Sequence, residues 1–306
     1  MKKLTIPILG LQLIILGVFF LPFNSWEGIP YLGEYYRDSC FLFFISAFTI
    51  LLFKKRIDVP YKNLIFQLLL FFILWALIAT FLNSYNISEY FFKKTTGLSR
   101  FINQFGSLLI AAIILPITFF NGFKGFNLNS LLILIRKSIL ISLIVVSFYA
   151  FIEILIVKFD VIGLKKTVLN LFDYFPFTEA KTDMRLRRIS SVTFEPPALG
   201  TYLISIAGWM FSYIITENRK QKYIPTIIVL FLGFISGSRA AFFAISVQLL
   251  IAVLILIKGS QSKRNVYKAA LITFVTGGIL LGTFNKQIFD YVEQEITSFK
   301  LNDSTH

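Results

Sequence analysis

The chain has 306 residues, of which 56% are hydrophobic, 17% aromatic and only 15% charged, and its mean hydropathy is +0.75. Soluble domains carry charges on about one residue in four, so this composition excludes a soluble globular protein and indicates a membrane protein. The formal net charge is +14, but the basic residues are scattered between apolar runs, which argues against a nucleic-acid groove. A single cysteine, Cys40, and a single histidine, His306, exclude an internal disulfide and the usual Cys/His metal clusters and leave at most a carboxylate-rich metal site. We therefore expect no redox or zinc cofactor.

Nine apolar segments approach the roughly 20 helical residues that a bilayer core about 30 Å thick requires. In chain order they are Thr5–Phe23, Ser39–Phe53, Leu64–Leu82, Phe105–Phe120, Ser138–Val157, Pro197–Ile215, Ile224–Ser236, Ala240–Ile257 and Ala269–Phe284. The sequence therefore predicts an all-α polytopic membrane protein with about nine transmembrane helices. We expect a single integral membrane domain over residues 1–306.

The seventh and eighth segments form one apolar stretch, 224–257, whose only charge is Arg239. A single helix of this length would measure roughly 51 Å, which is too long for a bilayer without extreme tilt. We therefore predict a turn at 236–239, where Gly237 lies between two serines. The turn also places the basic clusters that flank the stretch on one side of the membrane.

The distribution of charge predicts a cytoplasmic amino terminus. In that orientation the inner segments hold all of the net positive charge, whereas basic and acidic residues are nearly balanced in the outer segments. The basic balance thus indicates orientation and contact with anionic membrane lipids.

The longest outer segment, 158–196, is predicted to contain a helix that lies on the membrane surface. Five apolar residues recur there at helical spacing, with lysines elsewhere on the helix. These residues are Val161, Leu164, Val168, Leu171 and Phe175. A second outer segment, the tail 285–306, follows the ninth apolar run.

Three arginines near the end of the long outer segment form a candidate phosphate site. Arg185, Arg187 and Arg188 lie within four residues, and Glu195 follows shortly before the sixth apolar segment. Guanidinium groups bind phosphate oxygens bidentately and keep their charge, and Glu195 could then act as a base. The alternative is that these basic side chains only reach towards lipid phosphates at a helix end.

Arg239 is a second candidate, because an unpaired charge within an apolar run costs at least about 2.5 to 3.5 kcal/mol. Three explanations remain open: a turn that reaches the outer interface, a pair with a group such as Glu195, or an anionic ligand. Glu153 is the only acidic residue inside a predicted span. It could be functional, but its place near the outer end favours simple extension to the interface.

Two stretches resemble a known family. Residues 188–200 read Arg-Ile-Ser-Ser-Val-Thr-Phe-Glu-Pro-Pro-Ala-Leu-Gly, which is similar to the Arg-x-Ser and Glu-Pro pattern of Wzy-type polysaccharide polymerases. Residues 236–241 read Ser-Gly-Ser-Arg-Ala-Ala and resemble the Ser-Arg turn that those polymerases share with O-antigen ligases. The resemblance covers roughly residues 131–257.

The resemblance implies a GT-C-like, metal-independent membrane glycosyltransferase of the bacterial inner membrane. Such an enzyme joins oligosaccharide repeat units carried on undecaprenyl diphosphate at the outer face, or transfers them to an acceptor, in polysaccharide, capsule or lipopolysaccharide synthesis. It implies that Arg188 and Arg239 hold the lipid diphosphate, that Arg185 and Arg187 assist, and that Glu195 orients or deprotonates an acceptor hydroxyl. Implied partners are a flippase and a chain-length regulator of the same pathway.

Family members have more spans and a second large outer loop, so we expect the chain to be a fragment whose tail, 285–306, opens that loop. A secondary transporter or flippase is the alternative function, with Glu153 and Arg239 lining a polar path. A membrane scaffold without chemistry is a third reading, and it would require Arg188, Glu195 and Arg239 to be dispersed. The distances between Arg188, Glu195 and Arg239 therefore distinguish an enzyme from a scaffold.

Overall fold

A computed structural model describes residues 6–26, 35, 37–53, 57–89, 91–92, 95–159, 188–217 and 219–259. Several sequence predictions lie outside these residues. They are the surface helix within 158–196, the ninth apolar segment Ala269–Phe284, the tail 285–306, and the side chains of Arg185 and Arg187.

The described residues are almost entirely helical. The α-helices are α1 (Ile6–Phe19), α2 (Cys40–Phe53), α3 (Leu64–Leu82), α4 (Ser84–Glu89), α5 (Gly97–Leu109), α6 (Leu115–Phe123), α7 (Leu128–Phe159), α8 (Pro196–Thr216), α9 (Ile224–Ile235) and α10 (Arg239–Gly259). A π-helical turn, Ile110–Ile114, joins α5 to α6, and a 3₁₀ turn, Lys220–Tyr223, precedes α9. Between α4 and α5, β1 (Phe91–Phe92) and β2 (Thr95–Thr96) form a short antiparallel ribbon.

Eight of the nine predicted apolar segments lie on these helices. Four helical runs are long and apolar enough to cross a membrane: Leu64–Leu82, Gly97–Phe123, Leu128–Val157 and Pro196–Thr216. Four further apolar runs are shorter: Ile8–Phe19, Cys40–Phe53, Gln221–Ile235 and Arg239–Ile255. These are the features of an α-helical membrane protein, whereas the number of nine spans stays a prediction.

The fifth segment begins earlier than predicted. Helix α7 begins at Leu128, ten residues before Ser138, and the Asn127 side chain accepts a hydrogen bond from the Asn129 amide at 2.9 Å, which caps its first turn. The prediction treated Arg136 and Lys137 as a boundary. Both are good helix formers with long apolar stems, so the helix continues through them.

The chain folds into two compact units, residues 1–202 with 235–238, and residues 203–234 with 239–306. These units describe how the helices pack and do not test the prediction of a single membrane domain over residues 1–306. In the first unit α1 packs on α2 and α7, and α2 packs on α6. Its core is apolar and centres on Ile14, Phe41 and Phe44, with the Phe44 ring directly against Gly17.

Helices α1 and α7 are parallel and in register. The Ser138 hydroxyl donates to the Ile15 carbonyl at 3.0 Å, and the Ser142 hydroxyl, one turn later, donates to the Phe19 carbonyl at 2.8 Å. The first and fifth segments of a chain that alternates across a membrane must run in the same direction, as these two helices do.

Helix α3 exposes apolar side chains around most of its surface, and only Phe66 and Ile73 are buried. Trp75 is 58% exposed and Phe81 is 80% exposed. A helix that is apolar all round is stable in hydrocarbon, which is consistent with a helix that faces lipid.

In the second unit α10 contacts both α8 and α9. The Gln248 side-chain amide donates to the Ile204 carbonyl at 2.9 Å, and the rings of Phe234 and Phe242 meet edge to face at 5.9 Å. The side chain of Ile245 fits closely against Gly233.

Candidate functional site

The candidate site is built on residues 188–195, which we call the motif segment. It lies beside α7 and is held there by a buried carboxylate. Glu153 is 6% exposed, and its two oxygens accept hydrogen bonds from the Ser190 amide at 3.0 and 3.2 Å and from the Ser191 amide at 2.5 Å. The Ser190 hydroxyl adds a further bond to Oε1 at 3.0 Å. A buried charge with several donors is stably held, so Glu153 fixes the backbone of the motif segment.

The favoured interpretation of Glu153, extension to the membrane surface, is therefore wrong. The carboxylate is buried inside the protein because the motif segment supplies backbone donors directly to it. Without these donors a carboxylate at this depth would carry a large desolvation cost. Periodicity could not identify the partners, since they lie 37 and 38 residues away in the sequence.

The centre of the motif segment is tightly constrained. Ser191 has a positive φ of 54°, a conformation that non-glycine residues adopt at a cost, and its hydroxyl donates to the Val146 carbonyl at 2.7 Å. The Thr193 hydroxyl lies 2.7 Å from the Ser190 carbonyl and 2.9 Å from the Glu195 carbonyl. These bonds fix the geometry of the segment before it enters α8.

One other segment predicted to be outside, residues 24–38, contacts the motif segment. The Asn24 side chain accepts a hydrogen bond from the Phe194 amide at 2.9 Å, and the Ser25 hydroxyl donates to the Val192 carbonyl at 3.1 Å. The Arg37 guanidinium lies over the Phe194 ring, 4.0 Å from its centre. The predicted outer segments 24–38 and 158–196 thus meet at one place.

The first residue of the motif segment points an exposed guanidinium at the predicted turn. Arg188 is exposed, whereas its neighbour Ile189 is fully buried and anchors the chain. A Cβ atom on Gly237 would lie 3.3 Å from both Cγ and Nε of Arg188. The side chain of Arg188 therefore rests directly on the backbone of the turn.

The turn itself is where the sequence predicted it. Helix α9 ends at Ile235, α10 begins at Arg239, and Gly237 has a φ of +67°. The Ser238 amide lies 3.4 Å from the hydroxyl of the fully buried Ser236. Arg239 is exposed and is the first residue of α10 rather than part of the turn.

Replacement of Gly237 by alanine should destabilise the turn and displace Arg188. The left-handed backbone alone costs roughly 1 to 2 kcal/mol for an alanine, and the new methyl group would press on the Arg188 side chain. The midpoint of thermal unfolding measures this loss. As a control, Gly106 has open space around it and lies inside α5, so Gly106→Ala should be neutral or stabilising.

Glu195, the candidate base, is exposed and lies directly before α8. Its backbone carbonyl accepts the Ala198 and Leu199 amides at 3.0 and 3.3 Å, which begins the helix and leaves the carboxylate outside it. Pro196 and Pro197 then occupy the first turn, where no backbone donor is needed. The local sequence thus fixes Glu195 at the foot of α8.

Asp38 lies in the predicted outer segment before α2, and its carboxyl group is largely buried. Burial raises its pKa from 3.8 to about 6. The folded protein therefore binds a proton at Asp38 more tightly than the unfolded chain does between these values. Stability from this group is present at low pH and falls as the pH rises from about 4 to 6.

Asp38→Asn should remove that slope and raise stability at pH 7, because the amide carries no charge to desolvate. Unfolding midpoints measured from pH 4 to pH 7 test this expectation. Asp58→Asn is the matched control, since the Asp58 carboxylate is exposed and pairs with Lys124. If both variants keep the wild-type slope, burial of Asp38 is not its cause.

Of the predicted site residues, Arg188 contacts the turn that leads to Arg239, and Glu195 lies at the other end of the same segment. Glu153, Asn24 and Arg37 support this arrangement and were missed as contributors. Polar residues directly after the apolar run that ends at Phe23 were a usable signal for Asn24, but nothing in the sequence paired Arg37 with Phe194.

No family model matches the sequence, and neither the curated proteins nor the solved structures contain a significant match to it. The functional interpretation therefore depends on the residues and geometry described above.

Proposed function

We propose that the protein is a metal-independent membrane glycosyltransferase that acts on oligosaccharides linked to undecaprenyl diphosphate at the outer face of the bacterial inner membrane. It extends a surface polysaccharide as a polymerase, or transfers the chain to an acceptor as a ligase. The amino terminus is cytoplasmic in this proposal. A flippase supplies the substrate from the inner leaflet, and a chain-length regulator acts with the enzyme.

The observation that carries the proposal is the apposition of Arg188 and the Gly237 turn. An exposed guanidinium rests on the turn from which Arg239 follows after one further residue, Ser238. Consecutive Cα atoms are about 3.8 Å apart, so the chain itself keeps Arg239 close to this turn. A pair of guanidinium groups is the expected recognition element for a diphosphate.

The proposed reaction needs these groups at its leaving group. An acceptor hydroxyl attacks the anomeric carbon, the bond from that carbon to the diphosphate oxygen breaks, and undecaprenyl diphosphate leaves with the bonding electrons. Arg188 and Arg239 stabilise the charge that develops on the leaving oxygens. Glu195 accepts the hydroxyl proton, and Arg185 and Arg187 add to the attraction of the diphosphate.

Glu153 supports this proposal over a transporter. In the transporter interpretation it lines a polar path, but both of its oxygens are engaged by the motif segment and the residue is buried. Its contacts fit a structural carboxylate that shapes an outer site.

Reconstitution of the protein into vesicles with an undecaprenyl-diphosphate-linked oligosaccharide tests the proposal. We expect a longer lipid-linked product together with free undecaprenyl diphosphate, and the reaction should continue in the presence of EDTA. A substrate that crosses the bilayer with its oligosaccharide unchanged would instead identify a carrier. A substrate that neither grows nor crosses would contradict both functions.

A further inference from the structure

The predicted outer segment between α1 and α2 is closed at its base by two hydrogen bonds. The Phe23 carbonyl accepts one from the Ser39 amide at 3.0 Å and one from the Ser39 hydroxyl at 2.7 Å, and both residues are buried. Asn24 follows Phe23 directly, and Arg37 lies two residues before Ser39. Because consecutive Cα atoms are about 3.8 Å apart, the closure keeps Asn24 and Arg37 near each other.

Asn24 and Arg37 contact the same residue of the motif segment through different groups. The Asn24 side chain accepts a hydrogen bond from the Phe194 amide at 2.9 Å, and the Arg37 guanidinium lies over the Phe194 ring, 4.0 Å from its centre. A guanidinium is attracted by the negative face of an aromatic ring, which favours the contact by about 2- to 30-fold. Phe194 is thus fixed at both its backbone and its side chain.

The residue that follows Phe194 is Glu195, the proposed base. The Glu195 carboxylate is exposed, so its position depends on the backbone that carries it. That backbone is fixed on one side by α8, which begins directly after it, and on the other side by Phe194. The contacts of Phe194 therefore act on the residue directly before the proposed base.

We propose that Arg37 is a positioning residue for glycosyl transfer: through the Phe194 ring it keeps Glu195 within reach of the acceptor hydroxyl. The inference rests on the function proposed above, in which Glu195 is the base. A base must lie about 2.6 to 3.2 Å from the oxygen whose proton it accepts, and a displacement of 1 Å costs up to about 100-fold in rate. Glu153 holds the motif segment near Arg188 separately, so loss of Arg37 should leave Arg188 in place.

Turnover by Arg37→Met, in vesicles that contain an undecaprenyl-diphosphate-linked oligosaccharide, tests this role. Methionine keeps an unbranched apolar side chain but removes the cation. We expect kcat to fall about tenfold and KM to stay within about twofold, because the diphosphate contacts are unchanged. Arg37→Lys should recover most of the turnover, since an ammonium group is also attracted by the ring. Arg100→Met is the charge-matched control, because Arg100 is exposed on α5 in another predicted outer segment.

Phe194→Leu removes the ring instead of the cation and should lower kcat to a similar extent. The double variant, Arg37→Met with Phe194→Leu, should be no slower than the slower single variant, because both substitutions remove the same contact. Losses that multiply in the double variant would show that the two residues act independently, and would overturn the proposal.

Fluorine NMR of 4-fluorophenylalanine placed at position 194 alone measures the contact without relying on activity. Its resonance should shift in Arg37→Met and return towards the wild-type position in Arg37→Lys. An unchanged resonance, or a shift without any fall in kcat, would overturn the positioning role. A shift in a protein whose wild type transfers no sugar would contradict the proposed function, and the role of Arg37 with it, while the contact itself would stand.

Discussion

Replacement of Arg188 by alanine should abolish long polysaccharide chains in cells while leaving the protein in the membrane. Arg188 is exposed, so the variant loses little packing, but its guanidinium is one of two groups proposed to hold the leaving diphosphate. Loss of one such contact lowers the rate of comparable reactions by about 10² to 10³. Arg239→Ala should have the same effect, and gel analysis of surface polysaccharide length measures it.

Lysine at either position should give intermediate chain lengths, since it keeps the charge but not the bidentate geometry. Arg219→Ala is the matched control, because Arg219 is equally exposed but is predicted to lie on the cytoplasmic side. Unchanged chain lengths in Arg188→Ala, at normal protein levels, would remove Arg188 from the site. A loss of chain length in Arg219→Ala would indicate that surface charge in general is being measured.

Replacement of Glu153 by alanine should destabilise the protein by about 3 kcal/mol or more. The variant leaves the buried amides of Ser190 and Ser191 without their acceptor, and each unsatisfied donor costs about 1 to 3 kcal/mol. The motif segment would then be released from α7, so polymer synthesis should fall with it. Thermal unfolding of the purified protein and polysaccharide length together measure the effect.

Glu153→Gln separates stability from positioning. The glutamine side chain keeps one carbonyl acceptor, but its NH2 group cannot accept a hydrogen bond from the Ser190 or Ser191 amide. The variant should therefore lose less stability than Glu153→Ala and still misplace Arg188. Ser147→Ala is the control on the same helix, since the Ser147 hydroxyl donates to the Leu143 carbonyl of its own helix. A Glu153→Gln protein with full stability and full chain length would contradict the positioning role.

Local features of the sequence were sufficient to place most helices. The turn at Gly237 followed from the length of the apolar stretch and from one glycine, both of which act within a few residues. Apolar length was a poorer guide at α7, because long basic side chains are compatible with either a helix end or a helix interior.

The candidate site was only partly predictable, because its contacts join distant parts of the chain. The sequence identified Arg188 and the Gly237 turn separately. Because 48 residues lie between them, no local pattern indicated that they are in contact. Glu153 was misinterpreted for the same reason. A carboxylate in an apolar helix has the same sequence signature whether it reaches the surface or binds backbone amides inside the protein.

Binding of undecaprenyl diphosphate by the purified protein, compared with undecaprenol, tests most directly whether the arginines hold the lipid diphosphate. The wild type should bind the diphosphate more tightly than the alcohol, and this preference should disappear in both Arg188→Ala and Arg239→Ala but not in Arg219→Ala. Equal affinity of the wild type for the two lipids, or an undiminished preference in both arginine variants, would contradict the account.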